Sequence, residues 1–88
     1  MSEPPKLKIV FLPHALRRME ERRISEEEAR TTLEEPDLEY SDNLGRTVAE
    51  RVFPNNRLAT RVVYNLGVED ERVVITVERG RPAGGETR

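Results

Sequence analysis

Residues 7–29 read LKIVFLPHALRRMEERRISEEEA, and the fold is decided in this stretch. LKIVFL, residues 7–12, is a short apolar run with β-branched and aromatic members, the pattern of a strand. Pro13 suits the first turn of a helix, where its missing N–H costs nothing. That helix is expected to run to about Arg23, with Ile24-Ser25 breaking it. A second helix follows at once. Ser25 can cap it, and Glu28, three residues on, completes a capping box. Glu26 and Glu27 place negative charge where the helix dipole favours it, and Ile24 can staple onto Ala29. Pro36 ends the helix, because the residue before a proline avoids helical angles. The apolar stripe of this helix is narrow, Ala29 and Leu33 with Thr32 beside them, so it is expected to cover only an edge of the core.

From residue 37 the texture turns to β. Leu38–Ser41 reads as a short strand or a loop around Tyr40, and Asp42-Asn43-Leu44-Gly45 as a turn. Arg46–Phe53 is the next strand, closed by Pro54-Asn55-Asn56. Leu58–Leu66 would place Leu58, Val62, Tyr64 and Leu66 on one face, and Gly67–Glu71 turns the chain. Arg72–Arg79 would place Val73, Ile75 and Val77 on one face. The order is β-α-α-β-β-β, with one more short strand possible. It predicts an α+β domain whose two N-terminal helices pack on one face of a twisted antiparallel sheet. Residues 7–79 form one domain, between a flexible lead-in at 1–6 and a flexible Gly/Pro-rich tail at 80–88.

With 88 residues, 35% hydrophobic and 36% charged, the chain can build only a thin core. A homodimer or a partner chain is a natural way to bury more. The absence of cysteine excludes disulfides and thiolate metal sites. No apolar run is long enough to span a membrane, and MSEPPK lacks the apolar centre of a signal peptide, so a cytoplasmic protein without membrane partners is expected. The formal net charge is −2, yet thirteen of the fifteen cationic residues are arginine. Arginine is the better side chain for bidentate contacts to phosphate and carboxylate. A G+C-rich gene produces the same excess, so position has to decide.

On the first helix, with Ala15 at 0°, Met19 falls at about 40° and Leu16 at about 100°, which makes these three the expected buried stripe. Arg17, Glu20 and Glu21 lie on the far side. His14, Arg18 and Arg22 fall at roughly −100°, −60° and −20°, a row at i, i+4, i+8 along one border of the stripe. Such a row can reach over the rim of a sheet, where an imidazole can act as general base or acid and the arginines can hold phosphate. The bland reading also stands: border arginines often lay their stems over apolar surface, and a histidine at a helix start can satisfy the backbone.

The segment FLPHALRRMEERRISEEEA resembles the opening signature of the domain-of-unknown-function family 4258, through Phe11, His14-Ala15, Arg18-Met19, Arg22 and Ile24-Ser25. RVVYN (61–65) and VVITVER (73–79) resemble its closing strands, including a threonine at Thr76. The resemblance implies a fold of the small RNase-toxin group with the RelE and BrnT types, metal-independent endonucleolytic cleavage of RNA, and an antitoxin protein as partner. Two positions depart from the family pattern: Arg23 stands where glycine is usual, and Leu12 where a capping threonine or serine is common. On this reading His14 is base or acid, Arg18 and Arg61 hold phosphate, and Arg22, Thr76 and Arg79 bind substrate. Arg61 falls on the strand face with Ala59 and Val63, so whether it meets the cleft is open. Thr76 falls opposite Val73, Ile75 and Val77. Tyr64 is read as core. The competing reading is a non-catalytic RNA- or protein-binding module of the same fold. A metal role for His14 is disfavoured because the chain has no second histidine and no cysteine, and no cofactor is expected.

Overall fold

The computed structural model describes residues 7–54 and 57–82; the predicted lead-in at 1–6, most of the predicted tail and Asn55-Asn56 lie outside them. The chain forms β1 (Ile9–Phe11), α1 (Pro13–Arg22), α2 (Glu26–Glu34), β2 (Leu38–Ser41), β3 (Thr47–Val52), β4 (Ala59–Leu66) and β5 (Arg72–Gly80). The α+β class and the order of helices and strands are those expected. Tyr40 belongs to β2, so the loop alternative for it falls.

Pro13 opens α1, and Leu12 before it provides no side-chain cap. The helix ends where Arg23 turns left-handed, at φ 58°, ψ 45°, and the Ile24 amide donates back to the Met19 carbonyl at 2.8 Å. That closure is one glycine makes without strain, and here an arginine makes it. It turns the chain sharply enough for Ser25 to start α2, its Oγ accepting from the Glu28 amide at 3.0 Å. At the far end of β2, the Asp42 carboxylate accepts from the Leu44 and Arg46 amides and from the Arg46 guanidinium, fixing the turn to β3. Desolvation would raise the Asp42 pKa, but these donors outweigh it and hold the carboxyl below its usual value.

The five strands lie in the order β1-β5-β4-β3-β2. All neighbours are antiparallel except β1, which runs parallel to β5 with Ile9 opposite Arg72. The sheet is therefore mixed. The all-antiparallel expectation missed this because the first and last strands of the domain meet only through their shared edge.

A register shift between β4 and β5 inserts an extra residue into β5: Val63 faces Thr76, and Tyr64 faces Val74. Strict alternation would put Val73, Ile75 and Val77 together. The bulge replaces that face with Val74 and Val77, both fully buried.

One core joins Ala15, Met19 and Ile24 to Ala29 and Leu33 of α2 and to Ala49, Val62, Tyr64, Val74 and Val77 of the sheet. Both helices therefore cover the same face. α1 packs chiefly along β5, near the sheet margin, while α2 crosses β4 and β3. This corrects two expectations. Leu16 is 45% exposed, because α1 has too little sheet beneath it to bury a second row, and α2 covers the middle of the sheet instead of an edge. Leu58 and Leu66 are also exposed, lying just before and at the end of β4, beyond the helices. Arg30 of α2 donates to the Leu7 carbonyl at 3.0 Å and secures the entry to β1.

The left-handed arginine supplies a stability test. A non-glycine residue at such angles costs about 1 kcal/mol or more, partly offset in a glycine variant by the entropy of the unfolded chain. Arg23→Gly should raise the unfolding free energy by roughly 0.5–1 kcal/mol in urea titration. A variant of equal or lower stability would show that Arg23 is held there by side-chain contacts.

Candidate functional site

The six residues singled out on the sequence divide between the two faces of the sheet. His14, Arg18 and Arg22 lie on α1, and Arg79 of β5 points to the same helix-covered side. Arg61 and Thr76 do not join them. Val62 and Val77 point into the helix-covered core, so their neighbours Arg61 and Thr76 point the other way. There Arg61 donates from Nε to Glu50 Oε1 at 2.8 Å and from Nη2 to the Arg81 carbonyl. Its guanidinium lies over Gly80, where an added Cβ would come within 3.0 Å of Nη1. Arg61 is thus a clamp on the end of β5, remote in orientation from the α1 row.

The row itself is open. The His14 and Arg22 side chains are exposed and make no hydrogen bond or ion pair among the described residues. Arg18 is partly exposed and lies 3.5 Å from Glu21, an i, i+3 surface pair of small energetic weight. Arg17, on the outer side of the helix, is exposed as expected. The rise of 1.5 Å per residue sets the three row members about 6 Å apart along the axis.

Arg79 has a different task. Its Nη2 lies 3.2 Å from Glu28 Oε2 and 3.4 Å from the Arg23 carbonyl, while Thr60 donates to Glu28 Oε2 at 2.6 Å. The Glu28 carboxylate, expected to close a capping box onto Ser25, is committed to the sheet instead. Only the Ser25 half of that box forms. Side chains of Arg79 and Glu28 are 16% and 19% exposed, so the pair is well shielded and each partner satisfies the other. The Arg23 carbonyl accepting from Arg79 adjoins Arg22, and so this cluster also fixes the end of the open row.

A second polar cluster escaped the sequence reading. Tyr64, buried as expected, donates its phenol to Glu39 Oε2 at 2.7 Å, and the Arg72 guanidinium lies 5.6 Å from its ring centroid. Burial, reinforced by the Glu39 hydrogen bond and charge, pushes the Tyr64 phenol up to about 12. The period-two pattern marked Tyr64 as inward-facing, but nothing local in the sequence paired it with Glu39, twenty-five residues earlier. A shallow hollow of about 280 Å³ lies between the start of α2 and Phe53, lined by Ser25, Glu27, Glu28 and Thr31. Its acidic lining is ill-suited to phosphate. Among the described residues no group of three or more histidine, cysteine, aspartate or glutamate side chains could hold a metal ion. Among them also, no helix is long and apolar enough to cross a membrane.

A family model described as "Domain of unknown function (DUF4258)" matches residues 11–79, from the last residue of β1 to the penultimate residue of β5. The chain belongs to that family. The match begins at Phe11, takes in the whole α1 row and Arg23, and ends on Arg79. No curated protein and no solved structure matches the chain. Family membership thus covers every candidate residue without giving any of them a role.

Two outcomes follow from this geometry. Arg79→Ala leaves Glu28 shielded without its counter-charge and should cost about 2 kcal/mol of stability, read by urea unfolding. An Arg79→Ala protein as stable as the parent would show that Glu28 does not depend on this counter-charge. Tyr64, with its folded pKa raised, contributes stability that is complete below its unfolded value near 10 and is lost as pH rises toward about 12. Ultraviolet titration should show a phenol ionising near 12 that Tyr64→Phe removes. If that step survives the substitution, the assignment fails.

Proposed function

We propose that this domain binds RNA through phosphate contacts along α1. The observation that carries the proposal is the row itself. His14, Arg18 and Arg22 project from one helix border at regular spacing, and two of the three have no partner within the described chain. Their separation of about 6 Å along the axis is commensurate with successive phosphates of one nucleic-acid strand. Exposed guanidinium groups give such phosphates charge-assisted, bidentate contacts.

The net charge of −2 is an average over the chain, whereas the row itself consists of one histidine and two arginines. The last turn of α1 holds Arg22 beside Glu20 and Glu21, while Glu26, Glu27 and Glu28 gather at the start of α2. An RNA strand on α1 would be steered along the first helix and away from the second. The likeness to RelE- and BrnT-type toxins, drawn from the sequence motifs, belongs to this proposal and points to an antitoxin protein as companion.

One observation favours a second reading, metal-independent endonucleolytic cleavage. His14 is unused by the fold, and an unpartnered imidazole beside phosphate-binding arginines is suited to proton transfer. Binding remains the better-supported reading. Cleavage needs both activation of the 2′-hydroxyl and protonation of the leaving oxygen, and His14 is the only such acid–base group in the row. Arg61 and Thr76 lie on the far face of the sheet.

A single-stranded RNA oligonucleotide, followed by fluorescence anisotropy, tests the proposal. Affinity should fall steeply with salt, and Arg18→Ala and Arg22→Ala should each reduce the slope of log K against log salt by about 0.7. Binding that ignores salt, or that both variants retain unchanged, sinks the phosphate row. Shortening of the RNA in the presence of a chelator, abolished by His14→Ala, would transfer the conclusion to the endonuclease.

A further inference from the structure

Arg23 closes α1 in the left-handed region, at φ 58°, ψ 45°. Glycine takes up those angles without steric cost, and an arginine does not. The backbone around it leaves no room to relax. The Arg23 amide donates to the Glu20 carbonyl at 3.3 Å, and its carbonyl accepts from Arg79. Ile24, the next residue, is 3% exposed within the core and donates to the Met19 carbonyl at 2.8 Å. These contacts are all made by the main chain of residue 23 or by its neighbours, so a glycine would make the same turn. A side chain that costs stability at a position so fully determined calls for a reason outside the turn.

That reason does not lie within the fold. Arg23 is exposed, and its guanidinium makes no hydrogen bond, ion pair or ring contact among the described residues. Glu20, Glu26 and Glu27 all stand within four residues of it along the chain, and it pairs with none of them. The helix dipole favours a cation at this end, but Arg22 in the last turn already supplies one.

We infer that Arg23 is a further phosphate-binding residue, which carries the α1 row past the end of its helix. The inference rests on the RNA reading of that row and adds a residue to it. Spacing at i, i+4, i+8 exhausts the helix at Arg22, and the next step of four is Glu26, an acid that belongs to α2. Arg23 follows Arg22 directly, with the two Cα atoms about 3.8 Å apart across one trans peptide. The row therefore ends on two adjacent guanidinium groups, both unpaired, and each offers a phosphate several N–H donors in a planar fork. In place of the strain-free glycine, the chain keeps a cation where an RNA strand on α1 would leave the helix.

Urea unfolding and RNA anisotropy on the same variants of the full chain test this, with a single-stranded oligonucleotide as probe. Arg23→Gly should raise the urea midpoint and yet weaken RNA binding about fivefold near 0.1 M salt, the loss that a slope smaller by about 0.7 accumulates over one decade of salt. A residue that served only the turn would not move the two readouts in opposite directions. Arg23→Asn, which tolerates the left-handed region without the charge, should lose the same slope, and Arg23→Lys should retain it. Joined to Arg22→Ala, Arg23→Gly should bring the total slope loss to about 1.4. Arg17→Ala, on the outer side of α1, should leave the slope unchanged. A parental slope in Arg23→Gly, with Arg18→Ala and Arg22→Ala still lowering it, overturns the inference and leaves the row standing. So does a loss that vanishes in the Arg22→Ala background, because Arg23 would then act only through Arg22. An equal loss in Arg17→Ala overturns it as well, since any surface cation would serve. Indifference of RNA binding to all of these variants removes the row and Arg23 together.

Discussion

The Glu28 carboxylate accepts the Thr60 hydroxyl of β4 and pairs with Arg79 of β5, while its own amide is capped by Ser25. Arg79 in turn reaches the carbonyl that closes α1. Four elements therefore meet on one side chain, and each needs the others. Without the left-handed closure at Arg23, α2 would not start where Glu28 can reach the sheet. Without Arg79, a shielded carboxylate would lose the counter-charge that makes its position tolerable. The apolar core, with Met19, Ile24, Leu33 and Tyr64 among its alanines and valines, sets the buried face of each helix, and the polar cluster ties both helices to β4 and β5.

That constraint also explains which arginines are available for recognition. Arg79 and Arg61 were both expected to hold substrate phosphate, and each is committed to a carboxylate of its own chain, with distances of 3.2 and 2.8 Å. A committed guanidinium has its charge compensated and its donors directed, so moving it onto a ligand would expose the carboxylate left behind. Arg22 and His14 carry no such obligation. The division between structural and available cations follows from the fold, and the helix wheel alone anticipated only the α1 half of it.

What was legible in the sequence has a common physical character: it was local. Pro13, Ser25 and Pro36 bound the helices because capping and proline sterics act within a turn, and the Asp42–Gly45 turn is fixed by one aspartate bonding its neighbours. The alternation that placed Val62 and Tyr64 inward is likewise local to a strand. Features depending on distant residues were hidden. The bulge opposite Val63 shifts the inward face of β5, and no property of VVITVER announces it. Glu28 looked like a capping residue because its competing partners, Thr60 and Arg79, are thirty-two and fifty-one residues away. Leu16 looked buried because the wheel assumes a sheet wide enough for two rows, and α1 lies near the margin.

The two faces of the sheet consequently do different physical work. On the helix side, the Glu28–Arg79 ion pair and the apolar core position α1 so that His14 and Arg22 stand outward without a side-chain partner among the described residues. On the opposite side Arg61 is held by Glu50, and Val48 and Val63 beside them are already buried. The arginine excess that composition could not interpret thus separates by position: part of it locks the chain together, and part of it is left for contact with other molecules.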